Sequence, residues 1–275
     1  WISCYPGTFA SVNPARRASV ISVVVPLYNY AHYIEANIRS VLSQTHTDWE
    51  LVIVDDASKD DPARVVMPYV SNHENIYFYQ LQKNKGYSHA KNYAIERARG
   101  DYITTIDADD LLTPDSLKNR LAALEANPHA DWVHGRAMVF SDNPKNAKPE
   151  KMLYKRWRDV SAKGQRDMMY KAIHAQTVMV RRRFYENFGL YDEKMRFSAD
   201  REMWLRAKNQ NSIPVYADGY ICFYRTHKKQ MHRSKYKAEN LAKIQKYAKK
   251  ISAIRANGIN ESNTRMLKHE DNRPK

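Results

Sequence analysis

Short apolar runs alternate with amphipathic stretches along the first half of the chain. Almost every residue at 20–26 and 49–54 is apolar, which is typical of parallel strands covered on both faces. Between the runs, apolar residues recur at the three- and four-residue spacing of a helix. The pattern predicts strands at 20–26, 49–54, 76–80 and 102–106, and helices at 31–45, 62–71 and 88–99.

The second half of the chain is less regular. Apolar runs predict strands at 131–140, 175–181 and 215–224 and a helix at 201–208, with a basic loop excursion at 141–166. At 234–256, an apolar stripe surrounded by lysines predicts an amphipathic helix. We therefore divide the chain into a leader or linker (1–18), an α/β domain (19–230), and a basic amphipathic helix with its tail (231–275).

Strands that alternate with helices predict an open, mostly parallel sheet with right-handed crossovers. In such sheets, ligands bind beyond the carboxyl ends of the strands. Polar clusters follow four predicted strands, at 26–30, 55–61, 84–89 and 107–110. We expect these four loops to meet in one crevice.

The last of these clusters places three carboxylates, Asp107, Asp109 and Asp110, directly after a strand. If the strand geometry continues, Asp107 and Asp109 point the same way, about 7 Å apart, and their charges repel. Mn²⁺ or Mg²⁺ would remove that repulsion and could also hold the phosphates of a substrate. The alternative is a turn followed by a helix cap, since 110–116 has the composition of a helix start.

Composition adds bounds but no chemistry. The 275 residues are 43% hydrophobic and 27% charged, as in globular proteins, and could form one large or two small domains. No run approaches the roughly 18 apolar residues of a transmembrane helix. Cys4 and Cys222 are too few for a disulfide scaffold, which fits a reducing compartment. The chain begins at Trp1 without the features of a signal peptide, so we expect a piece of a longer protein.

The net charge of +15 is unevenly distributed. Residues 1–134 carry 12 Lys and Arg against 16 Asp and Glu, whereas residues 135–275 carry 33 against 14. The basic half predicts an anionic partner, such as membrane headgroups, an acidic polymer or nucleic acid. No recognisable nucleic-acid-binding motif accompanies the basic residues, so we expect no nucleic acid.

Seven motifs, in order over roughly residues 20–230, resemble those of glycosyltransferase family 2. They are Val24–Asn29, Val54–Asp60, Asn84–Asn92, Asp107–Asp110, Phe188–Glu193, Ser198–Arg206 and Tyr224–His227. The resemblance implies the GT-A fold, a Rossmann-like, mostly parallel sheet flanked by helices. It also implies an inverting, metal-dependent hexosyl- or N-acetylhexosaminyl-transferase acting in polysaccharide biosynthesis. A nucleotide sugar, with a UDP-sugar favoured, would bind 19–115, and a glycan, glycolipid or other cell-surface polysaccharide acceptor would bind 116–230.

The same resemblance implies a role for individual residues. Asp200 would be the general base that takes the proton of the acceptor hydroxyl. The usual Glu-Asp pair reads Ala199-Asp200 here; Glu202 is the fallback, and a helix N-cap is the alternative role for Asp200. Asp109, Asp107 and His227 would hold Mn²⁺ or Mg²⁺. The donor would contact Pro26, Tyr28, Asn29, Asp55, Asp56, Asn84, Gly86, Lys91, Asp107, Ala108 and Arg225.

The acceptor side is less sharply defined. Glu202, Trp204, His134 and His174 would line it, although the sequence favours core positions with satisfied hydrogen bonds for the two histidines. Tyr154, Trp157 and Tyr170 could stack on sugar rings, with local packing as the alternative. We expect a cytoplasmic protein, peripheral on the cytoplasmic face of a membrane through 234–256, unless that helix packs on the catalytic domain.

Two other classes of protein remain to be weighed. A sugar-phosphate nucleotidyltransferase opens with a glycine-rich phosphate loop, and residues 20–35 contain no glycine. A non-catalytic basic module, either a degenerate transferase or a binder of nucleic acid or an anionic polymer, would use the charge of the second half. The presence together of Asp107, Asp109 and Asp200 argues against an inactive protein.

Overall fold

The computed structural model describes residues 20–141, 143–149, 173–195 and 199–227. The expected leader, most of the loop excursion with Tyr154, Trp157 and Tyr170, and the expected helix and tail from 231 lie outside these residues. Within them, no helix is both long enough and apolar enough to cross a bilayer.

The described residues form nine strands and six α-helices, with 3₁₀ turns at Pro144–Asn146 and Ala175–Thr177. The strands are β1 (Ile21–Leu27), β2 (Trp49–Asp55), β3 (Ile76–Gln80), β4 (Tyr102–Thr105), β5 (Leu111–Leu112), β6 (Trp132–Phe140), β7 (Lys148–Pro149), β8 (Met179–Arg181) and β9 (Pro214–Arg225). The helices are α1 (Ala31–Leu42), α2 (Ala63–Asn72), α3 (Tyr87–Arg97), α4 (Ser116–Glu125), α5 (Arg183–Phe188) and α6 (Ala199–Asn209).

These strands form one sheet in the order β3-β2-β1-β4-β8-β6-β9-β5, with β7 paired to β6. Strands β1 to β4 run parallel, which confirms the prediction for the first half. Strand β8 is antiparallel to both β4 and β6, and β5 is antiparallel to β9, so the second half of the sheet is mixed. The loops after β1, β2, β3 and β4 therefore leave the same edge of the sheet.

Apolar side chains alternate between the two faces of the sheet, and helices cover both faces. On one face, Val23 and Val25 of β1 belong to a buried cluster that includes residues of α1, α2 and α4. On the other, Val24 belongs to a cluster that includes residues of α3, α5 and α6. Helices α3 and α6 therefore lie on the same face, although about 100 residues separate them in the sequence.

Two predicted segments differ from the structure. The segment at 110–116 does not start a helix directly, because Leu111 and Leu112 first pair with Phe223 and Cys222 of β9. Helix α4 begins only at Ser116. In the strand predicted at 175–181, a 3₁₀ turn occupies the first three residues and β8 the last three.

Candidate active site

The carboxylates after β4 lie in a turn. We had expected strand geometry to continue through them, and it does not. The N–H of Asp110 donates to the carbonyl oxygen of Asp107 over 3.0 Å. The turn brings Asp110 into the group, and one oxygen from each of Asp107, Asp109 and Asp110 lies within 4.8 Å of the others. The buried amide of Asn37, on α1, donates to the main-chain oxygens of Asp107 (3.0 Å) and Asp110 (2.8 Å) and so holds the turn in place.

This oxygen cluster suits a divalent cation. The pKa of Asp107 is raised to about 6, and the pKa of Asp110 is raised well above its usual range. In both cases burial is the larger cause, and the negative charge of Asp109 is the second. Asp110 Oδ2 is buried without a hydrogen-bond partner among the described residues. Hard oxygen ligands of this kind suit Mn²⁺ and Mg²⁺, and a bound cation would offset the repulsion.

The end of β9 closes one side of the cluster. His227 Nε2 lies 3.0 Å from Asp109 Oδ2, which allows both to contact one cation. Arg225 donates from Nε to the carbonyl oxygen of Asp109 (2.8 Å) and from its main-chain N–H to Asp110 Oδ1 (2.7 Å). The guanidinium carbon of this buried arginine lies 4.5 Å from the ring centroid of Tyr33. Arg225 therefore holds the carboxylate turn against β9 and α1.

Tyr30 lies in the polar stretch 26–30 that was expected near the carboxylates, although it was not among the expected site residues. Its ring packs edge-on against His227, with 5.6 Å between the ring centroids. The pKa of Tyr30 is raised well above its ordinary value, mainly by burial and also by the negative charges of Asp109 and Asp107. The hydroxyl therefore stays protonated at neutral pH, beside the carboxylates.

The loops after β2 and β3 are tied together by Asp56. Its two carboxylate oxygens accept the main-chain N–H groups of Lys85 and Gly86, both at 2.7 Å, and Asn84 Nδ2 donates to its carbonyl oxygen. Gly86 has a φ of 97°, a conformation that side chains disfavour. Asp56 thereby fixes the loop that leads into α3.

The loop after β1 is tied to the loop after β2. Asn29 Oδ1 accepts the N–H of Lys59, and Asp55 Oδ1 accepts the N–H and the hydroxyl of Ser58. The expected donor-site residues Pro26 and Ala108 are themselves buried, whereas the ring of Tyr28 is 41% exposed. Tyr28 is thus the member of this group that offers a face to a ligand.

Asp200 lies at the start of α6. Its Oδ1 accepts a hydrogen bond of 2.5 Å from Lys91 Nζ, on α3. Lys91, which we had expected to contact the donor, is fully buried, whereas the side chain of Asp200 is 24% exposed. The structure therefore brings the expected base onto the same face of the sheet as α3, with part of its side chain exposed.

Two further side chains fix Asp107, and the sequence analysis missed both roles. The hydroxyl of Tyr87, on α3, donates to Oδ1, and Gln176 Nε2 donates to Oδ2, each over 2.5 Å. Gln176 Oε1 in turn lies 2.7 Å from Nδ1 of His174, which stacks edge-on against Tyr224. Tyr87 lies within a motif that carried the family resemblance, whereas no sequence signal marked Gln176.

Three of the four expected acceptor-side residues are buried in the core. Glu202 is fully buried and forms two hydrogen bonds with Arg206, at 2.8 and 2.7 Å. Trp204 stacks on Trp132, with 5.0 Å between the ring centroids. His134 is 3% exposed, and burial lowers its pKa to about 4. Burial of this degree favours structural roles for all three. Of the four expected acceptor-side residues, His174 is the one that is partly exposed.

The profile of Glycosyl transferase family 2 matches residues 22–192. The putative teichuronic acid biosynthesis glycosyltransferase TuaG of Bacillus subtilis is 34% identical over 139 residues, which are 49% of this chain and 55% of that protein.

Two solved structures share the fold. TarS 1–349 of S. aureus, in complex with UDP-GlcNAc, has a TM-score of 0.69 at 21% identity and covers 85% of this chain and 66% of its own. The mannosyltransferase PcManGT of Pyrobaculum calidifontis, in complex with GDP-Man and Mn²⁺, has a TM-score of 0.61 at 22% identity over 82% of this chain and 62% of its own. The matched region is thus less than two thirds of each of these relatives.

The helix-flanked sheet, with carboxylates beyond β4, has the arrangement of the GT-A fold, and the structural likeness confirms that fold. The profile match covers more than half of the sequence. The chain belongs to glycosyl transferase family 2, as its motifs predicted.

Proposed function

We propose that the protein transfers a hexosyl or N-acetylhexosaminyl group from a nucleotide sugar, with a UDP-sugar favoured, to a hydroxyl of a cell-surface glycan or glycolipid. The observation that carries this proposal is the group of oxygens from Asp107, Asp109 and Asp110 within 4.8 Å, with His227 beside it. Nucleotide diphosphates are bound well by such a site once a divalent cation is present.

In the proposed reaction, the chain's own residues bind the donor and accept a proton. Asp109, Asp107 and His227 would hold Mn²⁺ or Mg²⁺, which would neutralise the charge that develops on the departing nucleoside diphosphate. Asn37 and Arg225 keep the carboxylate turn in shape. Asp200 takes the proton of the acceptor hydroxyl while the oxygen of that hydroxyl attacks the anomeric carbon of the donor sugar. Attack from the face opposite the leaving group inverts the anomeric configuration.

The nucleotide would lie against the loops after β1 and β2. The exposed ring of Tyr28 offers an apolar floor for the base, and either Asp55 or Asp56 would accept the ring N–H. Both carboxylates already accept main-chain N–H groups, but a carboxylate has about four lone-pair positions and can accept another hydrogen bond. We also propose that the protein is cytoplasmic, with 234–256 on the membrane face where a lipid-linked acceptor would be presented.

Calorimetric titration with UDP, GDP and dTDP, each with Mn²⁺ and with EDTA, tests the proposal. We expect UDP to bind only with the metal, and Asp109→Asn to lose that binding. Asp101→Asn is the matched control, because Asp101 is an exposed aspartate at the opposite end of β4. Preferred binding of GDP would keep the transferase and change the donor. Failure of all three nucleotides to bind the folded parent would overturn the proposal in favour of a non-catalytic binding module.

A further inference from the structure

A lysine with no exposed surface links helix α3 to the start of α6. Lys91 Nζ is 2.5 Å from Asp200 Oδ1, 4.1 Å from the ring centroid of Tyr191 and 4.9 Å from that of Tyr87. Burying an ammonium group is costly unless a charged partner and well-placed contacts compensate it. The carboxylate and the two aromatic faces supply that compensation, so the lysine has a fixed position.

Two buried tyrosines lie beside Asp200. Burial, together with the charge of Asp200, raises the pKa of Tyr191 well above its ordinary value, and burial raises the pKa of the neighbouring Tyr185 in the same direction. Since a carboxylate has about four lone-pair positions, Asp200 can accept from Lys91 and still receive a substrate hydroxyl.

One turn of α3 holds carboxylates from two distant parts of the chain. Tyr87 and Lys91 are four residues apart and so lie on the same face of the helix. Tyr87 donates to Asp107 in the carboxylate turn, and Lys91 donates to Asp200 at the start of α6. Asn92, the next residue, exchanges two hydrogen bonds with the main chain of Tyr191, at 2.8 and 2.9 Å. Helix α3 therefore sets the separation between the carboxylate turn and the expected base.

We propose that Lys91 is a positioning residue for Asp200 and not a ligand of the donor. This inference rests on the proposed function, because it takes Asp200 as the group that accepts the proton. The buried ammonium holds the carboxylate in one orientation, so that its exposed side faces the acceptor. Lys91 then acts on transfer only through Asp200.

A double-mutant cycle separates a positioning role from a donor-binding role. Lys91→Met keeps most of the aliphatic stem and removes the charge, and Asp200→Asn removes the base with little change in shape. The rate of nucleotide release is measured with Mn²⁺ on whichever of UDP-glucose, UDP-GlcNAc and GDP-mannose the parent consumes. We expect each single variant to lower kcat by roughly 100-fold, within the range for a lost general base.

The double variant should be no slower than Asp200→Asn alone, because a residue that acts only through Asp200 has nothing left to position. Binding of the nucleotide with Mn²⁺, measured by calorimetry, should stay within about twofold of the parent in Lys91→Met. Lys118→Met, an exposed lysine on α4, is the matched control and should change neither quantity. Multiplying losses, or a tenfold weaker nucleotide affinity in Lys91→Met, would instead make Lys91 a donor ligand.

If Asp200→Asn itself keeps full activity, the inference is overturned while the transferase stands. A folded parent that consumes no nucleotide sugar and binds no nucleotide overturns the proposed function as well.

Discussion

Asp107 is held by side chains from two distant parts of the chain. Tyr87 on α3 and Gln176 in the 3₁₀ turn each donate to one of its oxygens, so both carboxylate oxygens have fixed directions. Loss of a hydrogen-bond partner that orients a metal ligand typically lowers metal affinity or activity by about 10- to 100-fold. The geometry of the cluster therefore depends on residues that would not touch the metal.

Gln176→Met should weaken metal-dependent nucleotide binding by about 10-fold, because it removes the amide that orients Asp107 at little cost in volume. Calorimetric titration of UDP at several Mn²⁺ concentrations measures the change. Gln210→Met is the matched control, since the buried Nε2 of Gln210 has no hydrogen-bond partner among the described residues. Equal affinities in the parent and in Gln176→Met would show that Asp107 does not need this contact.

The burial of His134 should make the free energy of unfolding depend on pH. Burial lowers its folded pKa to about 4 from an ordinary value of 6.5, so the unfolded chain binds more protons between these values. Stability should therefore fall as the pH drops from about 6.5 to 4, by up to about 3 kcal/mol from this group. His134→Phe should lose less stability than the parent between pH 7 and 5 in urea unfolding. Parallel losses in both proteins would contradict this account.

The carboxylates of the site could be predicted from the sequence, whereas most of their partners could not. Asp107 and Asp109 directly follow an apolar strand, and chain connectivity alone places them at the edge of the sheet. Lys91 and Asp200 are separated by 109 residues, and only the packing of α3 and α6 on one face brings them together. A local signal did exist for Glu202, because Arg206 follows four residues later, the spacing of a helical ion pair.

At the scale of elements, the pairing of β6 with β9 depends on a glycine. The register between these strands shifts on both sides of Arg136, so Gly135 lies at an irregular point of the ladder. A Cβ atom added at Gly135 would lie 2.4 Å from Cγ1 of Ile221, on β9. The side chain of Ile221 therefore fills the space that a side chain at 135 would need.

Gly135→Ala should destabilise the protein by about 1–3 kcal/mol through this overpacking. Ile221→Ala alone should cost about 2–4 kcal/mol through the cavity it leaves. The double variant should cost less than the sum of the two, because one added methyl group occupies part of the vacated space. Urea unfolding of the three variants gives the coupling. Strict additivity would mean that the two residues do not share this space.

Elements with a clear hydrophobic period could be predicted, and those without one could not. Strands β1 to β4 and helices α1 to α3 lie within three residues of their predicted bounds, since run length and period define them. The two residues of β5 are too few to show any period, so 110–116 resembled a helix start. The antiparallel direction of β8 is fixed by its pairing with β4 and β6, which the local sequence does not encode.

At the scale of the whole molecule, the basic composition of the second half of the sequence contrasts with the acidic side chains of the site. Residues 135–275 carry 33 Lys and Arg against 14 Asp and Glu, although the described site is built around carboxylates. Many of the lysines fall at 234–256, where the sequence predicts an amphipathic helix outside the described residues. A lysine-rich amphipathic helix binds anionic membrane surfaces through its apolar face and its charges together. A lipid-linked acceptor would be presented at such a surface.

The protein should therefore float with vesicles of phosphatidylcholine and phosphatidylglycerol at low salt, and less so at high salt, because screening shortens electrostatic reach to about 10 Å at 0.1 M ionic strength. Lys243→Glu, Lys246→Glu and Lys250→Glu combined should abolish flotation while metal-dependent nucleotide binding stays at the parent level, which serves as the control for folding. Vesicles of phosphatidylcholine alone should not bind the parent. Failure of the parent to float with anionic vesicles would favour the alternative, in which the apolar stripe packs on the catalytic domain and the lysines remain solvated.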